Sequence, residues 1–150
     1  MPRGLYFEEF EAGKEVVSPG RTITEADVVA FAGVSGDYNQ LHTDDEFAKG
    51  LMFGQRIAHG MLVLSIATGL AARLGFIEGT ALAFRELTWK FSQPVFFGDT
   101  IHMKATCKET KPMPRLGGGV VKFDVRVANQ DGKTVQRGEW QLLMASRPQN

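Results

Sequence analysis

Asp37 and His42 are the residues of this chain best suited to proton transfer, and they lie five residues apart on one short polar connector. A carboxylate and an imidazole that face one cleft can divide an acid–base reaction, because one group removes a proton from water while the other donates one. A turn between them would aim both side chains at one point. In the alternative interpretation Asp37 ends a turn and His42 is a hydrogen-bonded histidine of the core. Spacing alone does not separate the two.

Two further features could assist that pair. Asn39 lies inside the connector, and an asparagine side chain can hydrogen-bond its own loop backbone and brace it. His59 and Gly60 stand at the start of a long apolar stretch with a helical pattern. The first N–H groups of a helix are unpaired and carry the positive end of its dipole, and glycine lets a carbonyl approach closely. The Gly60 N–H is therefore a candidate oxyanion hole. Alternatively, Gly60 only admits the chain to a crowded helix, and His59 caps or packs.

Other polar residues give weaker signals. Three histidines and three aspartates could be imagined as a metal site, but they lack a recognised ligand spacing, so no metal is predicted. These are His42, His59, His102, Asp37, Asp44 and Asp45. Ser65 and Thr68 share one helix face, and the pattern favours hydrogen bonds to carbonyls of the preceding turn. Cys107 has no base beside it in the sequence and is predicted to be a small buried apolar residue.

The connector, residues 36–42, lies between two helix starts. Thr24-Glu25-Ala26-Asp27 resembles a capping box, and apolar residues at helical spacing continue that helix to about Ser35. Thr43-Asp44-Asp45-Glu46 is a second capping box, which predicts a short helix to about Gly50. A third helix is predicted from Gly60 to about Leu74. It is apolar almost all round, so we expect it to be buried inside the protein.

The second half of the chain is predicted to be extended. The four predicted strands are Ala81–Phe91, Thr100–Glu109, Val120–Asn129 and Lys133–Ala145. A hairpin turn is predicted at residues 130–132, and a mobile loop rich in proline and glycine at residues 112–119. An early strand at about residues 15–22 is predicted to add to the edge. Together these elements predict an α+β fold, in which an antiparallel sheet curls round one long apolar helix.

Composition limits the possible functions. The chain has 150 residues, 43% hydrophobic and 23% charged, which is typical of one globular domain spanning residues 1–150. Its formal net charge of zero argues against nucleic-acid binding through a basic face and against a polybasic membrane anchor, while it permits self-association. A single cysteine excludes an intrachain disulfide. The acidic N-terminal stretch is unlike a signal peptide, and the apolar stretch at 61–74 is too short to cross a bilayer, so a cytoplasmic location is predicted.

The motifs around the connector resemble the MaoC-like dehydratase family, which includes the (R)-specific enoyl-CoA hydratases. The resemblance rests on Phe31-Ala32-Gly33-Val34-Ser35-Gly36-Asp37-Tyr38-Asn39-Gln40-Leu41-His42, on Phe47-Ala48 and on Ile57-Ala58-His59-Gly60-Met61-Leu62. Later segments are similar as well, namely Leu87-Thr88-Trp89-Lys90-Phe91, Pro94-Val95 and Gly98-Asp99. The similarity covers about residues 7–144.

The resemblance implies a hot-dog fold and reversible addition of water to a trans-2-enoyl thioester, giving an (R)-3-hydroxyacyl thioester. It implies that Asp37 and His42 are the catalytic pair. Gly60 and Asn39 would belong to the substrate-binding part of the site, Gly60 through its N–H and Asn39 as the loop brace. It also implies an acyl-CoA substrate, a homodimer or higher homo-oligomer, and no cofactor.

One residue departs from the family pattern, because Gln40 stands where the family usually has proline. The turn before His42 is then less constrained, since proline fixes φ. Two other functions remain open at this point. A protein of this fold can be an acyl-CoA thioesterase, or a module that binds acyl-CoA without turnover, because fold does not determine function. Neither alternative needs an acid and a histidine on one connector.

Overall fold

The computed structural model describes residues 3–150, and within them six strands form an antiparallel sheet. The strands are β1 Glu15–Val17, β2 Arg21–Thr22, β3 Ala81–Phe91, β4 Thr100–Met113, β5 Gly118–Ala128 and β6 Thr134–Ala145. Four α-helices lie in the same residues: α1 Glu25–Ser35, α2 Gln40–Thr43, α3 Asp45–Lys49 and α4 Gly60–Arg73. The predicted α+β architecture is confirmed.

The order of the strands across the sheet is β1-β4-β5-β6-β3, and β2 also pairs with β4. The alternation predicted for β5 is confirmed, since Val121, Phe123, Val125 and Val127 are all buried while Asp124 and Arg126 between them are exposed. Their apolar side chains form one core with the inward face of α4, so the sheet wraps the helix. Burial of each such side chain contributes about 1.5–3 kcal/mol.

The strand predictions hold for β3 and, within one or two residues, for β5 and β6. The prediction of a mobile loop at residues 112–119 was wrong. β4 continues to Met113, one 3₁₀ turn occupies Pro114–Leu116, and Pro112 pairs with Gly119 in the ladder. The early strand is two short strands, because β1 ends at Val17 and the Ser18-Pro19-Gly20 segment interrupts the pairing with β4. Proline has no N–H to give to a ladder.

The first helix begins where its capping box predicts. The Thr24 side chain accepts a hydrogen bond from the Asp27 N–H, the Asp27 carboxylate accepts one from the Thr24 N–H, and Gly36 closes the helix with a φ of +76°. The prediction that Thr43 begins the second capping box was wrong by one residue. Asp44, not Thr43, caps α3, since its carboxylate accepts from the Phe47 N–H at 3.0 Å. That bond and one from Gln40 hold the pKa of the Asp44 carboxyl below its usual value.

The central helix α4 is buried on one side only, which corrects the expectation of burial all round. Leu62, Val63, Ala67 and Leu70 face the core, while Met61 is 54% exposed. Ser65 and Thr68 donate to carbonyls three or four residues earlier, as predicted. No helix within residues 3–150 is long and apolar enough to cross a membrane.

Candidate active site

A short helix that the sequence does not announce carries His42. α2 spans Gln40–Thr43, where a loop was predicted, and Asn39 is its N-cap. The Asn39 Oδ1 accepts from the Leu41 N–H at 3.0 Å, and the Asp37 Oδ1 accepts from the Asn39 N–H at 3.2 Å. Two consecutive side-chain-to-backbone bonds therefore shape the connector, and the predicted bracing by Asn39 is present as a helix cap.

His42 is 8% exposed, and its ring is oriented by a carbonyl that is 15 residues away in the sequence. Its Nδ1 lies 2.8 Å from the carbonyl oxygen of Ile57. A carbonyl oxygen only accepts, so Nδ1 carries the proton and Nε2 has a free lone pair in the neutral ring. That Nε2 lies 4.0 Å from the Asp37 Oδ2. One water can hydrogen-bond both atoms across such a gap, since each bond needs about 2.8 Å.

His59, the residue before α4, connects the start of that helix to the connector. It is 2% exposed, and its Nε2 donates to the Asp37 carbonyl oxygen at 2.9 Å. Its ring stacks on the His42 ring with a centroid separation of 3.8 Å and an interplanar angle of 25°. The side chain makes no cap bond to α4. Of the two structural interpretations of His59, packing is therefore the one observed.

Gly60 opens α4 beside an apolar cavity of about 490 Å³. A Cβ on Gly60 would lie 2.7 Å from a ring carbon of Phe91, so any larger residue here would have to displace that ring. As the first helical residue, Gly60 has an N–H without an intrahelical acceptor. The cavity is lined mainly by apolar side chains: Leu41, Phe53, Ile57, Ala58, Met61, Val63, Phe91, Pro94 and Val95, together with His42, Gly60, Ser92, Gln93 and Gln136.

The predicted site residues lie at different depths. His42 and Gly60 line the cavity, whereas Asp37 and Asn39 are not part of its lining. The Asp37 side chain is 51% exposed, and its Oδ2 lies 4.0 Å from the His42 Nε2. The placement of Asn39 at the cap leaves its assignment to substrate binding a prediction.

Arg56 clamps the helices on both sides of the connector. Its guanidinium donates to Glu25 of α1 and to Asp45 of α3, and it lies over the Phe97 ring, 4.6 Å from the centroid. These carboxylates raise the pKa of the guanidinium above its usual value. Only 16% of the Arg56 side chain is exposed, so screening by solvent is reduced.

Asp37, His42 and His59 each place one potential metal-ligand atom within 4.8 Å of the others, a cluster that no spacing in the sequence indicated. The stacking of the two imidazoles does not suit a shared ion. A metal lies in the plane of each ligating ring at about 2.0–2.1 Å, and two nearly parallel stacked planes do not meet at that distance. The prediction that the site has no metal stays a prediction.

Sequence reasoning missed the bracing role of His59, the Arg56 clamp and the buried Gln136 on the cavity wall. A glutamine on the inward face of β6, which is otherwise apolar, is the signal that could have identified Gln136, because buried amides need hydrogen-bond partners. Arg56 gives no such signal, since its carboxylate partners are set by the fold.

Comparison with known proteins places the chain in a family. The profile of the MaoC-like domain matches residues 9–129. An (R)-specific enoyl-CoA hydratase of Rhodospirillum rubrum is 34% identical over 143 residues, which are 95% of this chain and 93% of that protein. Protein MaoC of Klebsiella aerogenes is 40% identical over 107 residues, 71% of this chain, and the chain spans only 32% of its length.

Solved structures agree with this placement. The R-hydratase PhaJ1 of Pseudomonas aeruginosa in its unliganded form is 31% identical, with a TM-score of 0.81 over 96% of this chain and 88% of that one. A Mycobacterium tuberculosis protein described as having a double hot-dog fold is 18% identical, with a TM-score of 0.85 over 98% of this chain and 46% of that one. The latter shows the fold alone, which is the hot-dog fold. With its connector, its apolar cavity and its match over residues 9–129, the chain belongs to the MaoC-like domain family.

Proposed function

We propose that this protein is a hydratase that reversibly adds water to a trans-2-enoyl-CoA, giving an (R)-3-hydroxyacyl-CoA. The observation that carries the proposal is the 4.0 Å gap between the His42 Nε2 and the Asp37 Oδ2, beside a cavity that is also lined by Gly60. Relatives named (R)-specific enoyl-CoA hydratase and 3-hydroxybutyryl-CoA dehydratase support the same substrate class.

In the proposed mechanism a water lies between Asp37 and His42. The His42 Nε2 accepts one proton from the water, and the Asp37 carboxylate accepts a hydrogen bond from the other hydrogen. The hydroxyl adds to the β-carbon, and the double-bond electrons move towards the thioester oxygen. The α-carbon then takes up a proton from the pair, which returns to its starting state. No redox group takes part in this sequence.

Besides a base for the water and a proton for the α-carbon, this chemistry requires a donor that stabilises the thioester oxygen, and Gly60 supplies it. Negative charge develops on the thioester oxygen as the hydroxyl adds, and a fixed donor aimed at that oxygen stabilises the transition state more than the substrate. The Gly60 N–H, at the positive end of α4, is such a donor. The apolar lining of the cavity suits an acyl chain, and its volume of about 490 Å³ is that of a small-molecule site.

The test is hydration of crotonyl-CoA, followed by loss of the enoyl-thioester absorbance, with the stereochemistry of the product determined. Asp37→Asn and His42→Ala are each expected to lower the rate about 10²–10⁴-fold, the range for a positioned acid–base group. Asp131→Asn, in the exposed hairpin turn, is the matched control and keeps the wild-type rate. Unchanged activity in both site variants would remove the assignment.

The same reaction mixture distinguishes the two alternative functions. A thioesterase would release free CoA thiol, which a thiol reagent detects, without forming a hydroxyacyl product. A binding module would raise its melting temperature with acyl-CoA and turn nothing over. The position of His42 beside Asp37 favours hydration, because neither alternative uses that pair.

We further propose that the protein forms a homodimer through β3. Among residues 3–150, β3 pairs with β6 on one side and with no strand on the other. Four large apolar side chains of β3 are 42–53% exposed: Leu82, Phe84, Leu87 and Phe91. An unpaired edge with apolar side chains is a template for another strand. In a two-fold dimer the β3 edges of the two copies would pair with each other in antiparallel orientation. Phe91 also lines the cavity, so this interface would adjoin the site.

Light scattering measures that dimer directly. The wild-type protein is expected to have twice the mass of one chain, and Leu87→Arg is expected to shift it to the monomer because a charge would be buried at the interface. A monomeric wild-type protein would contradict the proposal. The cytoplasmic location, the absence of a cofactor and the single domain over residues 1–150 remain predictions.

A further inference from the structure

Gln136 is a polar residue in the core that the acid–base chemistry does not use. It lies on β6, on the face directed at α4, and is 2% exposed. A buried amide without partners costs several kcal/mol, so its presence among apolar neighbours requires hydrogen bonds at both ends. Both are present, and one of them leads to the start of α4.

The Gln136 amide bridges the sheet and the first residue of the central helix. Its Nε2 donates to the Gly60 carbonyl oxygen at 3.0 Å, and its Oε1 accepts from the Trp89 Nε1 at 2.9 Å. A carbonyl oxygen has two lone pairs, so Gly60 can accept this bond in addition to the helical one. The first turn of α4 is thereby tied to β6 and, through Trp89, to β3.

Trp89 determines which way the Gln136 amide points. An indole N–H only donates, so the amide oxygen must face it and the amide nitrogen must face Gly60. A flipped amide would set donor against donor and acceptor against acceptor. Gly138 leaves room for this arrangement, because a Cβ there would lie 2.8 Å from a Trp89 ring carbon.

We propose that Gln136, oriented by Trp89, is a positioning residue that holds Gly60 so that its N–H meets the oxygen of the thioester. This inference rests on the proposed hydratase function. The proposed donor is the backbone N–H of Gly60, and glycine has no side chain that could fix its position. The carbonyl oxygen of the same residue accepts the bond from Gln136, which ties Gly60 to the sheet. An error of about 1 Å in the placement of a catalytic group can cost about 10²-fold in rate.

The principal test is Gln136→Leu, which keeps most of the volume and removes both bonds. We expect kcat to fall about tenfold to a hundredfold with KM nearly unchanged, because the donor acts mainly on the charge of the transition state. Trp89→Phe, which removes the indole N–H together with part of the ring, leaves the bond from Gln136 to Gly60 in place and is expected to give a smaller fall in the same parameter. Gln141→Leu, the same substitution on the outer side of β6, is the matched control and keeps the wild-type kcat.

Gln136→Glu provides a readout that a purely structural role would not change. Its ionised carboxylate has no proton to donate to the Gly60 carbonyl, whereas the protonated acid can donate. We therefore expect the ratio of variant to wild-type kcat to rise as the pH falls. This variant also keeps the test open if Gln136→Leu fails to fold.

The outcomes separate this inference from the function on which it rests. If wild-type protein hydrates crotonyl-CoA and Gln136→Leu keeps its kcat, the inference is wrong and the hydratase function stands. A flat kcat ratio for Gln136→Glu across pH would also overturn it. If the wild-type protein does not hydrate the substrate, both fall.

Discussion

The two halves of the candidate site are held in place in different ways. The connector with Asp37 takes its shape from neighbouring residues, through the Asp37 and Asn39 turn bonds two residues along the chain. The start of α4 is held by partners far away in sequence, since Gln136 is 76 residues from Gly60. The local half is exposed and the distant half is buried. The shape of the connector therefore depends on its own sequence, whereas the position of Gly60, the proposed oxyanion donor, depends on how the sheet closes round α4.

His42 belongs to both halves, and this explains its central place. α2 brings it from the connector, yet its tautomer is set by the Ile57 carbonyl, 15 residues away, and its ring rests on His59. The variants below perturb one half at a time, in order of decreasing expected effect.

Among the variants that leave Asp37 and His42 intact, Gly60→Ala in the buried half is expected to have the largest effect. The added methyl would meet the Phe91 ring and crowd the approach to the helix N–H. Alanine keeps the N–H but hinders the approach to it, so we expect kcat to fall by at most about 10²–10³-fold, the range for complete loss of an oxyanion donor. Wild-type activity in this variant would show that Gly60 serves only the entry into α4.

Asn39→Ala is expected to act on the local half, with a smaller effect. It removes the N-cap of α2, so unfolding should become easier by about 1 kcal/mol. The rate of hydration should fall less than in Asp37→Asn, because the Ile57 carbonyl still orients His42. Asn39→Asp keeps an acceptor oxygen and should restore stability in thermal unfolding. Equal losses in both Asn39 variants would indicate that the side chain has a role besides the cap.

The smallest effect is expected from Gln40→Pro, which introduces the residue usual in the family. Gln40 is the first residue of α2, where proline is well tolerated, and Asn39 has the extended ψ of 135° that a following proline requires. We expect the free energy of unfolding to rise by about 0.4–1 kcal/mol, because proline lowers the entropy of the unfolded chain. Gln40→Ala separates this gain from loss of the exposed Gln40–Asp44 bond. Destabilisation by proline would mean that the connector of this chain differs from the family turn.

The sequence predicts what local chemistry determines and fails where distant contacts decide. The capping box at Thr24, the start of α4 at Gly60 and the alternation of β5 follow from neighbouring residues, and all are confirmed. The helix α2 is too short for a periodic pattern, and Asn39 alone marks its start. The exposed side of α4 was missed because an apolar helix gives no sign of which face the sheet covers.

The site divides along the same line. Asp37, His42 and Asn39 could be selected from residue types on one connector, and their proximity could be expected. The stacking of His59 on His42 and the bond from Gln136 to Gly60 could not, since both depend on how the sheet closes round α4. The 51% exposure of the Asp37 side chain likewise depends on the fold, and no spacing predicted it.

The most direct test is a double-mutant cycle on the acid–base pair, with hydration of crotonyl-CoA measured for Asp37→Asn, for His42→Ala and for the two combined. Groups that act on one water as a unit are strongly non-additive, so the combined variant should be about as slow as the slower single variant. If the two losses instead multiply, or if neither variant loses activity, the two side chains do not share a water and the central claim fails.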